Sequence, residues 1–285
     1  MKKILISIAL VLGNIFTGLC DGQLNIVPAP NKVIKGEGRW VVKNGLTIVS
    51  TDVKDFSANY LQDKLEDVFD FPVVVSSQQK GDGCITFATD KNIPSEGYKL
   101  EVTEKGITIT SSDKSGQYYG MQTLLQLFPA GIYSGDNLRI KEYPIDVLTI
   151  EDAPRFAYRG FMLDVSRTFF DLDYLRNYID WMSSHKLNRL HLHLTDDNGW
   201  RIEIKKYPEL TRKGAWRGQN ELLPPTYLSG AERYGGYYTQ KEMKELIAYA
   251  QKRNVMIIPE CDLPGHARSS TAVFGDVTCG THTDK

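Results

Sequence analysis

Carboxylates, histidines and arginines recur at three places in the sequence, each beside an apolar run that is typical of a strand. The runs cover residues 161–165, 190–194 and 255–258. Imidazoles and carboxylates are the groups that proteins most often use for general acid–base chemistry. Taken run by run, the groups are Arg159, Asp164 and Arg167; His193, Asp196 and Asp197; and Glu260, Asp262 and His266. Three such clusters in succession predict one site where the ends of the strands meet.

The elements that must position these clusters alternate between strand and helix from residue 153 onward. Between residues 172 and 182, apolar side chains recur at the spacing of one helix face. Thr239 and Glu242 form a capping box, the S/T-x-x-E pattern that opens a helix. Repeated strand–helix units imply parallel strands joined by right-handed crossovers. The pattern predicts a (β/α)8 TIM barrel, in which active sites lie at the carboxyl ends of the strands.

The part that precedes this pattern, residues 24–150, mixes short strands and helices. Short apolar runs are separated by Gly, Asn, Asp and Ser, and two stretches near residues 61–68 and 118–125 have helical spacing. This mixture predicts an α+β domain. Since no cluster of titratable groups is apparent there, we assign the chemistry to the second domain, at residues 153–285.

Three motifs in the second domain resemble the catalytic barrel of the family 20 glycoside hydrolases, the β-N-acetylhexosaminidases. They read RFAYRGFMLDVSR at residues 155–167, HLHLTDDNGWR at 191–201 and IPECDLPGH at 258–266. Two further stretches, IVPAP at 26–30 and GQYYGMQTLLQL at 116–127, resemble the accessory α+β domain of that family. The resemblance implies an enzyme that needs no cofactor and hydrolyses terminal N-acetylhexosamine residues of glycans or glycoconjugates.

The resemblance also implies substrate-assisted retaining catalysis, in which the 2-acetamido carbonyl of the substrate attacks the anomeric carbon. In the family, an Asp orients the acetamido group and the adjacent Glu protonates the leaving oxygen, both within a His-x-Gly-Gly-Asp-Glu segment after the fourth strand. That segment does not occur in the 285 residues. A complete barrel takes about 250 residues. We therefore expect a fragment with an incomplete barrel, the first three strand–helix units only, that is inactive alone.

Supporting roles remain for residues within the motifs. By resemblance, Arg159 is expected to hydrogen-bond sugar hydroxyls, and Asp196 and His266 are expected to form a relay that supports the catalytic Glu. A carboxylate raises the basicity of an imidazole, which in turn tunes the next carboxyl group. Asp197 could take the part of Asp196, because sequence alone cannot separate neighbours at the end of a strand.

Other residues of the motifs are expected to shape the pocket. Glu260 and Asp262 are predicted to form its floor, with a buried network to an arginine of the first motif as the alternative. Trp200 is expected at the rim of the pocket. Trp181 lies in the middle of a helix and is expected in the core.

A metal site is the main alternative interpretation. His191 and His193 alternate with leucines and point to one face of a strand, which favours a packed polar core. Together with His266 and either Asp196 or Asp197, they could instead bind a divalent metal, as in metal-dependent hydrolases on the same fold. Such barrels usually carry His-x-His on the first strand, whereas here it lies on the second, and we expect no metal. A non-catalytic sugar-binding module is a further alternative, should the 285 residues be the full product.

The charge balance excludes one broad class of partner. The chain has 34 Lys and Arg against 35 Asp and Glu, a formal net charge of −1. A general nucleic-acid binder needs a basic surplus to neutralise phosphates, so no nucleic-acid partner is expected. Hydrophobic residues make up 41% of the chain, which is typical of a folded protein.

The first 20 residues are typical of a signal peptide. Lys2 and Lys3 precede a largely apolar run over residues 4–16, which is too short to span a bilayer comfortably. We expect an exported protein that is periplasmic, attached to the outer membrane or extracellular. Cys20 is a possible lipid-attachment site. No other segment reaches 18 consecutive apolar residues, so no transmembrane segment is expected.

Overall fold

The computed structural model describes residues 24–79, 81–135, 137–226 and 229–277. The predicted signal peptide and Cys20 lie outside the described residues. Two units follow one another along the chain. The first is a mixed sheet with helices, and the second is a set of parallel strands with helices.

The first unit is built on a seven-stranded sheet. In chain order its strands are β1 (Lys32–Lys43), β2 (Thr47–Val49), β3 (Val74–Ser76), β4 (Cys84–Thr89), β5 (Tyr98–Thr103), β6 (Gly106–Ser111) and β7 (Glu142–Asp152). Their spatial order is β1-β7-β5-β6-β4-β2-β3. The pairs from β1 to β6 in this order are antiparallel, and the pairs from β6 to β3 are parallel.

Two helices, α1 (Phe56–Glu66) and α2 (Lys114–Leu125), share one buried apolar core with this sheet. Each begins at an aspartate, Asp55 or Asp113, whose carboxylate accepts backbone N–H groups of the first turn. Gly116 lets α2 approach the sheet closely, because a Cβ there would lie 2.1 Å from the carbonyl oxygen of Gly97. These elements confirm the predicted α+β character of the first unit.

The second unit contains the predicted parallel strands. Its strands are β8 (Gly160–Asp164), β9 (Arg189–His193), β10 (Thr195–Asp196), β11 (Gly199–Trp200), β12 (Trp216–Arg217), β13 (Tyr234–Gly235) and β14 (Met256–Glu260). Its helices are α3 (Leu172–Ser184), α4 (Glu209–Arg212), α5 (Gln240–Lys252) and α6 (Arg268–Thr271), and 3-10 turns cover Ala130–Tyr133 in the first unit and Gly275–Val277 here. Strands β14, β9 and β8 pair in parallel in that order, whereas β10–β11 and β12–β13 form small antiparallel hairpins.

The two long helices of the second unit follow their sequence patterns, with one exception. Helix α5 begins with the predicted capping box, in which Thr239 and Glu242 each bond the backbone of the other. Helix α3 buries Ile179 and Met182 as expected. The prediction that Trp181 lies in the core is wrong, since it is 61% exposed. It lies about 200° around the helix from Ile179 and so faces away from the sheet.

Within the described residues the parallel sheet is open rather than closed into a barrel, with β8 and β14 as its outer strands. Helices α3 and α5 supply the crossovers and pack on it through one apolar cluster. In the same residues, no helix is long and apolar enough to cross a membrane.

The two units pack against each other through buried polar contacts. Lys186, which is buried, donates to the hydroxyl of Tyr98 at 2.7 Å and pairs with Asp152 at 2.9 Å. The hydroxyls of Tyr118 and Ser183 lie 2.5 Å apart. Since breaking a buried ion pair is strongly destabilising, these contacts help to fix how the first unit docks on the second.

Candidate active site

The register of the parallel strands brings the predicted clusters together. Asp164 at the end of β8 pairs with His193 at the end of β9, and His193 pairs with Glu260 at the end of β14. The three side chains therefore leave the sheet at the same edge. The hairpin β10–β11, directly after β9, adds Asp196 to this edge.

His193 is buried in the centre of the cluster and contacts a carboxylate through each ring nitrogen. Its Nε2 lies 2.9 Å from Oδ2 of Asp196, and its Nδ1 lies 2.8 Å from Oε1 of Glu260. Burial alone lowers the pKa of an imidazole. Here the hydrogen bonds to Asp196 and Glu260 outweigh burial, so the pKa of His193 is raised. In its protonated form the ring donates one N–H to each carboxylate, so all three side chains have a hydrogen-bond partner.

The raised pKa of His193 makes part of the folding stability depend on pH. The folded state binds the proton more tightly than the unfolded state. The contribution is therefore complete below the unfolded pKa of 6.5 and is lost as the pH rises through the folded pKa. We expect the difference in unfolding free energy between wild type and His193→Gln to shrink as the pH rises above about 6.5. Urea unfolding at a series of pH values measures it, and a difference that grows with pH would rule out the imidazolium.

Asp196 contacts several of the other side chains in the cluster, and it is only 1% exposed. Besides its contact with His193, its Oδ2 lies 2.5 Å from Nη2 of Arg167 and 3.4 Å from Nδ1 of His266. Its Oδ1 accepts the backbone N–H of Asp197. The structure thus places Asp196 beside His266, as the relay requires. The action of the relay itself stays a prediction.

Arg167 belongs to the site, although sequence reasoning gave it no sugar-binding role. It lies just after β8, where its Nη1 pairs with Asp164 at 2.5 Å and its Nη2 pairs with Asp196. Its side chain is 48% exposed. The guanidinium is therefore held by two carboxylates and is still open to a ligand. Its position at the same end of the strand as Asp164 is the signal that could have identified it.

Glu260 and Asp262 form a second acidic pair beside His193. Burial raises the pKa of Glu260, but hydrogen bonds from His193 and Asp262 outweigh it and lower that pKa. The hydrogen bond to Glu260 raises the pKa of Asp262, so Asp262 keeps its proton to higher pH. His191 also contacts Glu260 through Nε2. The network around Glu260 is thus made with histidines rather than with the arginines that we considered.

Asp197 and Trp200 lie beside this cluster and have partners of their own. The Oδ1 of Asp197 accepts the backbone N–H of Arg268, the first residue of α6, at 3.0 Å. The indole N–H of Trp200 donates to the carbonyl of Ile202 at 2.7 Å. The structure therefore favours Asp196 over Asp197 as the partner of His266. The place of Trp200 at a pocket rim stays a prediction.

Arg159 is the one predicted site residue that the structure places elsewhere. It precedes β8, so the length of that strand, roughly 16 Å, separates it from Asp164 and Arg167. Its guanidinium donates to the carbonyl of Lys186 at 2.8 Å, to Glu96 at 2.9 Å and to the hydroxyl of Tyr119 at 3.0 Å. Arg159 therefore joins the two units and lies away from Asp196, and its expected contact with sugar hydroxyls stays a prediction.

This location predicts that Arg159 contributes to stability. Arg159→Ala should lower the free energy of unfolding by about 2–3 kcal/mol, because it leaves Glu96 without its charged partner at a partly buried interface. Urea unfolding measures the loss. Arg176→Ala is the matched control, since it removes an arginine from an exposed pair with Asp173. A loss no larger than that of the control would show that the Arg159 contacts do not hold the units together.

Three groups of described side chains have ligand atoms close enough together to hold a metal ion. They are Asp164, His193 and Asp196; His193, Glu260 and Asp262; and Asp196, Asp197 and His266. His193 belongs to two of them, but a metal ligand must be a neutral imidazole and its raised pKa favours the protonated form. In the third group, the guanidinium of Arg167 already lies 2.5 Å from Asp196. These donor sets are a poor fit for a cation.

Both units of the chain match models of known protein domains. Residues 156–285 match the family model described as "Glycosyl hydrolase family 20, catalytic domain". Residues 23–153 match the model described as "Glycosyl hydrolase family 20, domain 2". The chain belongs to glycoside hydrolase family 20, which confirms the resemblance inferred from its motifs.

Individual relatives agree with this assignment. The chain is 38% identical over 248 residues to the beta-hexosaminidase of Vibrio furnissii, covering 87% of this chain and 39% of that protein. It is 36% identical over 265 residues to the beta-hexosaminidase of Porphyromonas gingivalis, covering 91% of this chain and 33% of that protein. The exo-β-N-acetylglucosaminidase of Vibrio harveyi, solved in complex with N-acetylglucosamine, matches with a TM-score of 0.79 and 35% identity, over 89% of this chain and 38% of that one. The chain thus spans about two fifths or less of the length of these relatives.

Proposed function

We propose that the protein carrying this chain is a β-N-acetylhexosaminidase that removes terminal, non-reducing N-acetylhexosamine residues from glycans. Relatives named beta-hexosaminidase, and the N,N'-diacetylchitobiase of Vibrio harveyi at 34% identity, support the substrate class. The observation that carries the proposal is the half-exposed guanidinium of Arg167, which Asp164 and Asp196 hold at the carboxyl ends of parallel strands. Ligands of barrel enzymes bind at that end.

In this proposal Arg167 binds the ring hydroxyls of the terminal sugar. A guanidinium presents N–H donors in a fixed planar fork, which suits neighbouring oxygens better than a flexible ammonium does. Asp164 and Asp196 fix its orientation before the sugar arrives, so little side-chain entropy is lost on binding. Glu260 at the end of β14 and Asp262 in the loop after it form the adjacent floor of the pocket.

Catalysis in this proposal is retaining and substrate-assisted, with the acetamido carbonyl as the nucleophile. Asp196 orients His266, which tunes the acid/base Glu. No Asp followed directly by Glu occurs in the 285 residues. In this proposal the acid/base residues therefore lie outside them, and the 285 residues by themselves do not turn over substrate.

A matched pair of substrates tests the proposed function. The protein carrying this chain is assayed with an aryl N-acetyl-β-glucosaminide and with the aryl β-glucoside that has the same leaving group. Because an intramolecular nucleophile is worth several orders of magnitude, kcat/KM should be at least about 10³-fold higher for the acetamido substrate. Comparable rates for the two substrates would exclude participation of the acetamido group, and no turnover of either would refute the function.

Removal of metal should leave the activity unchanged. The metal alternative predicts that EDTA abolishes hydrolysis and that a divalent ion restores it. We expect neither effect, because the raised pKa of His193 favours its protonated form and Arg167 occupies the position beside Asp196. The measurement is kcat/KM after EDTA treatment and after addition of Zn²⁺, Mg²⁺ or Ca²⁺. Activity that EDTA removes and a metal restores would overturn the mechanism.

We also propose that the protein is exported, on the basis of the pattern in its first 20 residues. Mass spectrometry of the N-terminal peptide of the protein purified from its source cells tests this. Cleavage near residues 18–20 is the expected result, and a lipid on Cys20 would identify the lipoprotein variant of the same proposal. An intact N-terminus beginning at Met1 would contradict export by this route.

A further inference from the structure

Asp164, Arg167, His193, Asp196 and Glu260 form what we call the strand-end cluster. Arg201 is fully buried next to the backbone of this cluster, and within the described residues its guanidinium hydrogen-bonds only to backbone carbonyls. Its Nε donates to Val165 at 3.1 Å. Its two terminal nitrogens donate to four further carbonyl oxygens, those of Ala215, Gly236, Ser166 and Asn198. One side chain therefore hydrogen-bonds to the backbone of several loops near the carboxyl ends of the parallel strands.

The charge of Arg201 has no acidic partner. In the part of the chain that the structure describes, no carboxylate forms a hydrogen bond or an ion pair with its guanidinium. Burial lowers the pKa of Arg201 to about 10, and the neighbouring Arg217 adds to this effect. The side chain still carries its charge at neutral pH, so five carbonyl dipoles compensate a buried cation.

The neighbouring backbone is shaped to fit this guanidinium. A Cβ on Gly199 would lie 2.3 Å from Cζ of Arg201 and the same distance from Nη2. No other residue type fits at position 199 while Arg201 keeps its place, because real Cβ atoms do not approach so closely. Gly199 also precedes Arg201 by two residues in the HLHLTDDNGWR motif.

Two of the carbonyls that Arg201 contacts lie in the loops that contain Arg167 and Asp196. Ser166 immediately precedes Arg167, and Asn198 follows Asp196 and Asp197. We propose that Arg201 is a positioning residue, which sets the distance between the guanidinium of Arg167 and the carboxylate of Asp196 by fixing the backbone on both sides of that contact. This role rests on the proposed hexosaminidase function, to which it adds a residue that does not touch the substrate.

The first test compares Arg201→Lys with Arg253→Lys. Arg253 is also largely buried and lies 3.5 Å above the ring of Tyr249, but it precedes β14 and so lies at the opposite end of the strands. Lysine keeps the charge and loses the planar fork. Since a misplacement of about 1 Å can cost about 10²-fold, Arg201→Lys should lower kcat/KM by about that factor, while Arg253→Lys stays within about threefold of wild type. Equal effects of the two variants on kcat/KM would overturn the proposal.

A second variant covers the case in which Arg201→Lys fails to fold. Gly199→Ala keeps the arginine and its charge but displaces the guanidinium by steric contact. We expect the same loss of kcat/KM, of about 10²-fold. Gly275→Ala is the matched control, because a Cβ there would meet no atom within 4 Å and its backbone is outside the left-handed region. Wild-type kcat/KM in Gly199→Ala would overturn the proposal.

The positioning role can be judged separately from the proposed function. If the wild-type protein does not hydrolyse the aryl N-acetyl-β-glucosaminide, the function fails and the role is decided by crystal structures of wild type and Arg201→Lys. The distance between Nη2 of Arg167 and Oδ2 of Asp196 is 2.5 Å here. An increase of about 1 Å or more in the variant supports the positioning role, and an unchanged distance refutes it.

Discussion

Replacing Asp196 with asparagine should lower kcat/KM by about 10²–10³-fold and the free energy of unfolding by about 3 kcal/mol. The carboxylate is buried and faces Arg167, His193 and His266 at once. An amide of the same shape keeps the packing but removes the negative charge, so the buried ring of His193 and the guanidinium of Arg167 lose their shared charged partner. The measurements are steady-state kinetics with the aryl N-acetyl-β-glucosaminide and urea unfolding of the same preparations.

Asp173→Asn is the matched control for this prediction. It makes the same chemical change in an exposed carboxylate that pairs with Arg176 on the surface of α3. Exposed pairs of this kind contribute about 0–1 kcal/mol, so both stability and kcat/KM should stay close to wild type. If Asp196→Asn behaved like Asp173→Asn, Asp196 would not be the centre of the site.

Replacing Arg167 with alanine should lower kcat/KM by about 10²–10⁴-fold with little loss of stability. Each charge-assisted hydrogen bond to the sugar is worth about 1.5–3 kcal/mol, and a guanidinium can make two. Its side chain is half exposed, and Asp196 keeps His193 as a partner when Arg167 is removed, which is why the fold should tolerate the change. Steady-state kinetics of wild type and variant, over the same range of aryl N-acetyl-β-glucosaminide concentrations, separates the effect on KM from the effect on kcat.

Two comparisons sharpen the Arg167 prediction. Arg167→Lys should fall between alanine and wild type, because it restores the charge beside Asp164 and Asp196 without the planar fork. Arg159→Ala should show the opposite pattern to Arg167→Ala, with a loss of stability and a nearly normal KM. An Arg159 variant with weakened sugar binding and normal stability would restore the original sequence-based assignment of Arg159.

Much of the second unit could be predicted because its patterns are local. The spacing of apolar residues gave α3 its buried face, and the capping box at Thr239 and Glu242 marked the start of α5. Parallel pairing then followed from the strand–helix alternation. The exposure of Trp181 was missed although the same spacing implies it, because Trp181 lies about 200° around the helix from the buried Ile179.

The site was predicted in part, for a related reason. Clusters after successive parallel strands must meet at one edge, which brought Asp196, Glu260 and His266 together. The motif does not separate Arg159 from Arg167 as the sugar-binding arginine, because both flank the same strand and the sequence does not say which end carries the chemistry. The contacts of Arg159 with Glu96 and Tyr119 depend on the docking of the first unit, which has no local signature in the sequence.

The role proposed for Arg201 could not be reached from the sequence. Its acceptors are backbone carbonyls at positions 165, 166, 198, 215 and 236, and no side-chain pattern marks a carbonyl as an acceptor. The only local trace is the glycine at position 199, whose meaning depends on the path of a side chain two residues later.

A crystal structure of the protein carrying this chain with N-acetylglucosamine bound tests the central claim most directly. The account predicts ring hydroxyls within about 2.7–3.2 Å of the guanidinium of Arg167, above Asp196 and beside Asp262. It also predicts that Arg159 keeps its contact with Glu96. A sugar bound against Arg159, or one bound where Arg167 does not reach it, would contradict the assignment of the strand-end cluster as the sugar site.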